Sequence, residues 1–432
     1  MSIVAMKRTL FFIALIFAGL SALSSCDLYR WNDADKEKSH VVILVSAGYN
    51  NISSNLRNNI SQLEEGFLPG IDDNRALFIV AHHSKNDVDQ STPVNPYVIR
   101  MYRDGEKAVR DTVFMMEVTD TLTSAAGLRK ALSYIKKHCP SRSYGMVFSS
   151  HGTGWMPAGA YRDDSGGWNP TFGQRPVNYV PGGLAVYDHD PDPEVKTLGA
   201  TTYRRDDGTL LSRELDITEF ATLCPMKFDY IIFDACLAGG IEVAYQLRDV
   251  CNMICFSQTE VLSTGFDYLG IGSRLLNPNI DPDPVGVCRD YYEYYAKETG
   301  ERRSATISAI DCSALPALAE LSAILFAKYS AALASLDYRS VQRYYRRGYH
   351  WFYDFEDILL KAGMNAEEQR QLSGLLEKCI IYKAATTSFM QSISILHHSG
   401  LSMYLPCHGD ASLDKYYCTL DWNKATGLVK MK

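Results

Sequence analysis

The chain has 432 residues, of which 46% are hydrophobic and 22% are charged. These values exclude a disordered protein, and the length allows two or three domains or one large α/β domain with additions. The net charge of −7 and the lack of any basic run argue against nucleic acid as a partner.

The N-terminus has the features of an export signal. Lys7 and Arg8 precede an apolar run over residues 10–20, which is too short to span a bilayer comfortably. The sequence Leu-Ser-Ser-Cys ending at Cys26 is similar to a bacterial lipobox, in which the cysteine is lipidated and becomes the new N-terminus. We therefore expect a signal peptide at 1–25, a polar tether at 26–39, and a protein held to a membrane of the cell envelope by its lipid, on the periplasmic face or the outer surface. A plain secretory signal with an incidental cysteine is the alternative.

The chain contains eleven cysteines. Apart from Cys26 and Cys236, they form no Cys-x-x-Cys pair and no regular framework, so neither a zinc site nor a disulfide scaffold is predicted. Several stand in apolar surroundings and are expected to be buried thiols. One or two disulfides are the alternative for a chain outside the cytoplasm.

The first part of the mature chain alternates between apolar runs and segments with helical spacing, which is typical of an α/β sheet. An Asp-Gly turn predicts a hairpin, and Ser124 is a candidate helix cap. The predicted strands are 41–46, 76–81, 97–102 and 108–117, and the predicted helices are 56–66 and 124–138.

The sequence YGMVFSSHGTGW at 144–155 predicts a further buried strand, which delivers His151 and Gly152 to its carboxyl end. The stretch that follows, 156–207, is rich in Gly, Pro, Asp and Asn and has little periodicity. A stretch of this length inside a domain is usually functional or mobile.

A second buried strand at 230–233 delivers Asp234, Ala235 and Cys236 in the same way. We expect an α/β domain over 40–312 and a mainly helical C-terminal region over 313–432 that packs on it. The remaining predicted strands are 252–257, 305–311 and 400–405, and the remaining predicted helices are 212–223, 241–248, 315–336 and 357–381.

The strands that end before His151 and before Asp234 predict a functional site, because ligands of parallel sheets bind outside the carboxyl ends of the strands. An ordinary thiol, with a pKa near ~8.5, is mostly protonated at neutral pH, and a neighbouring imidazole both lowers that pKa and protonates a leaving amine. The backbone amides of Gly152 and Cys236 would hold the oxyanion of a tetrahedral intermediate. Alone, His151 has an alternative interpretation as a structural histidine and Cys236 as a buried thiol. Together they predict a cysteine peptidase.

The sequences HGTGW at 151–155 and FDACL at 233–237 resemble the clostripain family of cysteine peptidases, relatives of the caspases, gingipains and legumains. Segments 257–271, 351–359 and 399–406 are similar to further family signatures, so the resemblance covers most of the mature chain. It implies a caspase-like α/β sandwich, in which helices flank a mostly parallel central sheet. It also implies a Cys–His dyad without an obligatory third carboxylate.

The resemblance implies further site residues. In the family, the aspartate two residues before the nucleophile is thought to attract a basic substrate side chain, and here it is Asp234. One carboxylate at a pocket floor selects Arg or Lys by charge, although a capping or core-polar role is the alternative. Glu260 and Asp267 lie in the loop that is expected to form another wall of the pocket. They are only secondary candidates, because acidic side chains in loops are usually just solvated. Family members also cleave themselves in the segment between the two catalytic strands. In this chain such a cleavage would follow one of Arg162, Arg175, Lys196, Arg204 or Arg205.

No cofactor or metal site is predicted, with calcium kept as an alternative because some relatives need it. The acidic cluster Asp188, Asp190, Asp192 and Glu194 is interrupted by prolines and does not fit an EF-hand. Two features depart from the family pattern beside the cleft, and they bear on the preference for Arg or Lys rather than on the chemistry. They are Ala238-Gly239-Gly240 and Phe266.

The sequence thus predicts a lipid-anchored cysteine endopeptidase that acts on proteins or peptides through an acyl-enzyme, cleaving after Arg or Lys. The alternative is a surface lipoprotein that keeps the fold and binds peptide or glycan without hydrolysing it.

Overall fold

The structure is a computed structural model that describes residues 37–87, 92–157, 184–187, 201–204, 210–213, 215–346, 351–408 and 411–430. For the three short segments between 184 and 213, only the backbone is described. The expected signal peptide, Cys26, four of the basic residues proposed for self-cleavage and the acidic cluster at 188–194 lie outside the described residues.

The described residues contain sixteen strands and twelve α-helices. The strands are β1 (His40–Gly48), β2 (Arg75–His83), β3 (Tyr97–Asp104), β4 (Lys107–Met115), β5 (Tyr144–Ser149), β6 (Leu184–Tyr187), β7 (Thr201–Arg204), β8 (Leu210–Arg213), β9 (Phe228–Asp234), β10 (Cys251–Phe256), β11 (Thr306–Asp311), β12 (Tyr353–Asp354), β13 (Ile380–Ala385), β14 (Ser388–Phe389), β15 (Ile393–Ser394) and β16 (Ser402–Met403). The helices are α1 (Ser53–Glu65), α2 (Ala125–His138), α3 (Ile217–Leu223), α4 (Ile241–Leu247), α5 (Tyr268–Leu275), α6 (Pro284–Ala296), α7 (Leu315–Lys328), α8 (Ser330–Ala334), α9 (Phe355–Lys361), α10 (Ala366–Cys379), α11 (Ala411–Tyr417) and α12 (Asp421–Thr426).

A nine-stranded sheet organises the molecule, in the order β13-β11-β10-β9-β5-β1-β2-β3-β4. The five central strands, β10 to β2 in this order, are parallel, and an antiparallel pair lies on each side of them. Every residue of β1, β2 and β5 is buried, as expected for strands covered on both faces. The predicted mostly parallel α/β sheet is confirmed.

Local sequence sets the helix starts. Ser124 accepts a hydrogen bond from the backbone N–H of Gly127, and Asp216 caps α3 in the same way through Thr218. The sequence predicts this helix over 212–223 with Ser212 or Asp216 near its cap, and the structure has Asp216 as the cap, because residues 210–213 form β8.

The C-terminal region departs from the sequence prediction. The helix expected over 315–336 is divided at Tyr329 into α7 and α8, and the helix expected over 357–381 is divided at Gly363, whose φ of +94° suits glycine. Beyond it, residues 380–385 form β13, which pairs antiparallel with β11. The chain after residue 312 thus adds an edge strand to the central sheet in addition to its helices.

Two further features concern the helices and the cysteines of the described residues. No helix of the described residues is long and apolar enough to cross a bilayer. In the same part of the chain none of the cysteines is in a disulfide, and most are buried, as predicted for thiols in apolar surroundings. The sulfur atoms of Cys251 and Cys312 lie 3.8 Å apart.

Candidate active site

The ends of β5 and β9 place the two predicted catalytic residues in corresponding positions. Ser149 pairs with Asp234 in the register of these parallel strands, and His151 and Cys236 each stand two residues further along. The backbone N–H of Ser150 still donates to the Asp234 carbonyl, at 3.4 Å. Both residues therefore lie at the same edge of the sheet, where parallel strands present their ligands.

The loops after the two strands pack backbone against backbone. A Cβ atom on Gly152 would lie 2.3 Å from the carbonyl oxygen and 2.7 Å from the nitrogen of Cys236. One on Gly154, whose φ is +61°, would lie 2.4 Å from the carbonyl oxygen of Leu237. Only glycine allows this approach, which holds the histidine loop directly against the cysteine loop.

The turn after Cys236 is strained. Leu237 has a φ of +57°, in the left-handed region that costs a non-glycine residue of order 1 kcal/mol or more. Its N–H donates to the Thr259 carbonyl at 2.9 Å, and the N–H of Gly239 donates to the Ser257 carbonyl at 2.7 Å. Hydrogen bonds to the segment after β10 thus fix this sharp turn, after which the chain enters α4.

The Cys236 thiol is buried beneath the segment after β10. The backbone N–H of Val261 donates to its sulfur at 3.1 Å, and the sulfur lies 3.6 Å from the Val261 carbonyl oxygen. This segment is itself fixed, because the N–H groups of Gln258 and Thr259 both donate to the hydroxyl of Thr306 on β11, at 3.1 and 2.9 Å. In the described chain the thiol of the predicted nucleophile is therefore covered.

His151 is fully buried and has a partner on a third strand end. Its Nε2 lies 2.7 Å from Oδ1 of Asn51, which follows β1. Since β1 pairs with β5 on the side opposite β9, three adjacent strands deliver Asn51, His151 and Cys236 to one edge.

Asp234, the predicted specificity residue, ends β9 and is fully buried. Its Oδ2 accepts hydrogen bonds from the hydroxyls of Ser149, at 2.6 Å, and Tyr268, at 2.7 Å. Burial raises the pKa of Tyr268 well above its ordinary value, so its hydroxyl stays protonated and donates. The carboxylate is thus held rigidly two residues before the thiol.

The two secondary acidic candidates have different surroundings. Glu260 is buried, and its Oε2 lies 2.8 Å from Nε of Arg346. Asp267 is exposed and caps α5 through a hydrogen bond from the N–H of Gly270. Glu260 directly precedes the residue that covers the thiol, whereas the described contacts of Asp267 are those of a helix cap.

The C-terminal region packs directly behind the site. The Trp155 ring, from the HGTGW sequence, lies 4.9 Å from the ring of Tyr404 and 5.1 Å from that of Tyr417. Glu242 on α4 accepts hydrogen bonds from the Tyr404 N–H and the Tyr417 hydroxyl, each at 2.8 Å. Burial raises the pKa of Glu242 to about 7. Residues beyond 400 therefore support both loops that carry the predicted catalytic residues.

Within the part of the chain that the structure describes, no group of three or more His, Cys, Asp or Glu side chains could hold a metal ion. The acidic cluster considered for calcium lies outside it.

Sequence reasoning missed three residues beside the site, namely Asn51, Val261 and Arg346. Asn51 had a weak signal, because it follows a predicted strand whose end is polar. Val261 acts through its backbone, which carries no sequence signal. Arg346 is 86 positions from its partner Glu260, so only the folded chain shows the pair.

A sequence model of the clostripain family matches residues 206–428, which is about half of the chain and includes Asp234, Cys236, Glu260 and Asp267. The chain belongs to the clostripain family. It is thus a cysteine endopeptidase of this family, as the sequence motifs predicted. The matched range begins after His151, whose placement here comes from the structure.

Solved structures of C11 proteases have a similar fold. An inactive zymogen C11 protease from Parabacteroides distasonis aligns with a TM-score of 0.71 and 23% identity, over 90% of this chain and 99% of that one. A secreted C11 cysteine protease from Bacteroides thetaiotaomicron, named iotapain, aligns with a TM-score of 0.68 and 22% identity over the same shares. A structure of a secreted C11 cysteine protease from Bacteroides thetaiotaomicron in complex with an irreversible peptide inhibitor aligns with a TM-score of 0.66 and 21% identity. No curated protein matches the chain.

Proposed function

We propose that this clostripain-family member hydrolyses peptide bonds with Cys236 as the nucleophile and His151 as the general base and acid. The observation that carries the proposal is the packing of Gly152 against the backbone of Cys236. This packing brings the ends of β5 and β9 together at one sheet edge, with His151 and Cys236 at corresponding positions.

The chemistry then follows from the two side chains. The Cys236 thiol gives its proton to His151, and its sulfur attacks the carbonyl carbon of the scissile bond. The amides of Gly152 and Cys236 stabilise the oxyanion, and His151 returns the proton to the departing amine, which leaves an acyl-enzyme. Water, deprotonated by His151, releases the acid product and restores the thiol.

Asp234 is the specificity residue in this proposal, with Arg or Lys as the preferred substrate side chain. A carboxylate held by Ser149 and Tyr268 keeps a fixed position and pairs with a cation at little entropic cost. Glu260 and Asp267 take smaller roles, because Glu260 is already paired with Arg346 and Asp267 caps α5.

The proposal includes a lipid anchor on Cys26 that holds the enzyme in the cell envelope, with protein or peptide substrates there. It also includes self-cleavage within 156–207, after one of the basic residues of that stretch. The covered state of Cys236 supports this step, because a nucleophile beneath Val261 needs a rearrangement before a substrate can reach it.

The test uses the purified full chain, the Cys236→Ala and His151→Ala variants, and a peptidyl electrophile that ends in Arg. We expect self-cleaved wild-type protein and a one-to-one adduct on Cys236, neither of which forms in the variants. A matched probe that ends in Asp should react far more slowly. If processed wild-type protein takes no adduct, the alternative of a non-hydrolysing binding lipoprotein replaces the proposal. A single full-length mass for all three proteins would contradict self-cleavage.

A further inference from the structure

The histidine of the site is bound by a side chain that neither the motifs nor the family resemblance assigns. Oδ1 of Asn51 lies 2.7 Å from Nε2 of His151, within the ideal range for a hydrogen bond. The two residues are 100 positions apart, and they meet because β1 and β5 are neighbours in the parallel sheet.

The turn that carries Asn51 is well fixed. The side chain of Asn50 accepts a hydrogen bond from the N–H of Ile52 at 3.1 Å, and its carbonyl accepts one from the Ser84 hydroxyl, also at 3.1 Å. Asn50 and Ile52 are fully buried on either side of Asn51. A side chain held between two anchored residues keeps its position at little entropic cost, as a positioning group requires.

We propose that Asn51 is a positioning residue for His151, an inference that rests on the proposed function of the dyad. An amide oxygen can only accept, so Nε2 must carry a hydrogen, and Nδ1 is the nitrogen that exchanges the proton with the Cys236 thiol. When His151 takes that proton, Oδ1 of Asn51 accepts a hydrogen bond from the imidazolium and stabilises it. Asn51 itself gains and loses no proton.

The test compares wild type with Asn51→Ala and Asn51→Asp by steady-state kinetics across pH. Each protein is expressed as the full chain and assayed after it has been processed. Asn51→Ala removes the acceptor and should lower kcat by about 10- to 100-fold with little change in KM, the range for losing a hydrogen bond to a charged group. The alkaline limb of the pH profile reports loss of the imidazolium proton. We expect it at lower pH in Asn51→Ala and at higher pH in Asn51→Asp, because a carboxylate stabilises the cation further. Other ionisable side chains near the carboxyl ends of these central strands, which all variants share, include His82, His83, Asp234, Cys236 and Glu260.

Asn58→Ala is the matched control, since it removes an exposed asparagine from α1, and it should leave kcat and both limbs unchanged. Thermal unfolding of each variant separates a folding defect from a kinetic one. The inference is overturned if folded Asn51→Ala keeps wild-type kcat, or if both substitutions move the alkaline limb in the same direction. Failure of the proposed function is distinct, because wild-type activity would then be absent or would survive Cys236→Ala.

Discussion

Val261 donates its backbone N–H to the sulfur of Cys236 over 3.1 Å, and its carbonyl lies 3.6 Å from the same sulfur. One residue thus contacts the sulfur of the proposed nucleophile through two backbone atoms, and the side chain of Cys236 is buried. The segment that carries it is tied to the sheet through Thr306, so the cover is part of the folded core.

The first prediction concerns the reactivity of that thiol. The His151→Ala variant, which cannot cleave itself under the proposed function, serves as the uncleaved chain. In it, iodoacetamide should alkylate Cys236 at least about tenfold more slowly than the half-buried Cys407 and Cys418, because a local opening must come first. Peptide mapping by mass spectrometry measures the three rates in one sample. Cys236 reacting as fast as Cys418 would show that Val261 does not cover it in solution.

The second prediction concerns Gly152. In Gly152→Ala the new methyl group would overlap the Cys236 backbone, so the two loops must separate. We expect loss of nearly all activity together with a lower unfolding midpoint. Gly374→Ala is the control, because a Cβ there meets open space within α10 and should stabilise the protein by up to about 1 kcal/mol. Wild-type activity in Gly152→Ala would contradict the packing.

The third prediction concerns the Glu260–Arg346 pair, of which 3% and 18% of the side-chain surfaces are exposed. Arg346→Met removes the cation that pairs with the buried carboxylate of Glu260. We expect it to lower the free energy of unfolding in urea by about 3 kcal/mol. Because Glu260 precedes Val261, the same change should also speed alkylation of Cys236. The exposed pair Arg370–Glu367 is the comparison, and Arg370→Met should cost less than about 1 kcal/mol. An equal loss of stability in Arg346→Met and Arg370→Met would show that the buried pair contributes no more than the exposed pair.

The fourth prediction concerns pH and Glu242. Burial raises its pKa from 4.5 to about 7, so the folded state holds a proton that the unfolded state releases between these values. This group therefore destabilises the wild type by up to about 3 kcal/mol as pH rises from 4.5 to 7, and adds no further slope above it. Glu242→Gln keeps acceptors for Tyr404 and Tyr417 without a charge, so its stability relative to wild type should grow over that range.

Urea midpoints at pH 5 and pH 8 measure the difference. Glu320→Gln, an exposed change on α7, should follow the wild-type pH dependence. A constant offset between Glu242→Gln and wild type at both pH values would show that Glu242 titrates normally.

The central strands could be predicted because their apolar runs are unambiguous. His40–Gly48 is buried throughout, and the sequence gives no competing pattern there. The same holds for the position of His151 and Cys236 at the sheet edge, because parallel strands end together. By contrast, β13 follows α10 without a break, and its half-buried residues alternate too briefly to be separated from the helix.

The contacts that complete the site could not be predicted in the same way. The partner of Glu260 comes from 86 residues away, and the partner of His151 from 100 residues away. Only the strand order decides which loops meet, and the strand order is a property of the whole sheet. The cover over Cys236 uses backbone atoms of Val261, which any residue other than proline would supply.

Asn51, His151 and Cys236 follow three separate strands, and this placement has a consequence for biosynthesis. A ribosome releases residue 51 first, residue 151 next and residue 236 last, and β10 must still join the sheet before the thiol lies beside its neighbours. Ser402, near the end of the chain, then donates its backbone N–H to the carbonyl of Gly239 at 2.8 Å. A chain that stops soon after residue 236 therefore carries the amide, the imidazole and the thiol without β10 and without the C-terminal contact to Gly239, so only the nearly finished chain holds the three groups in the described arrangement.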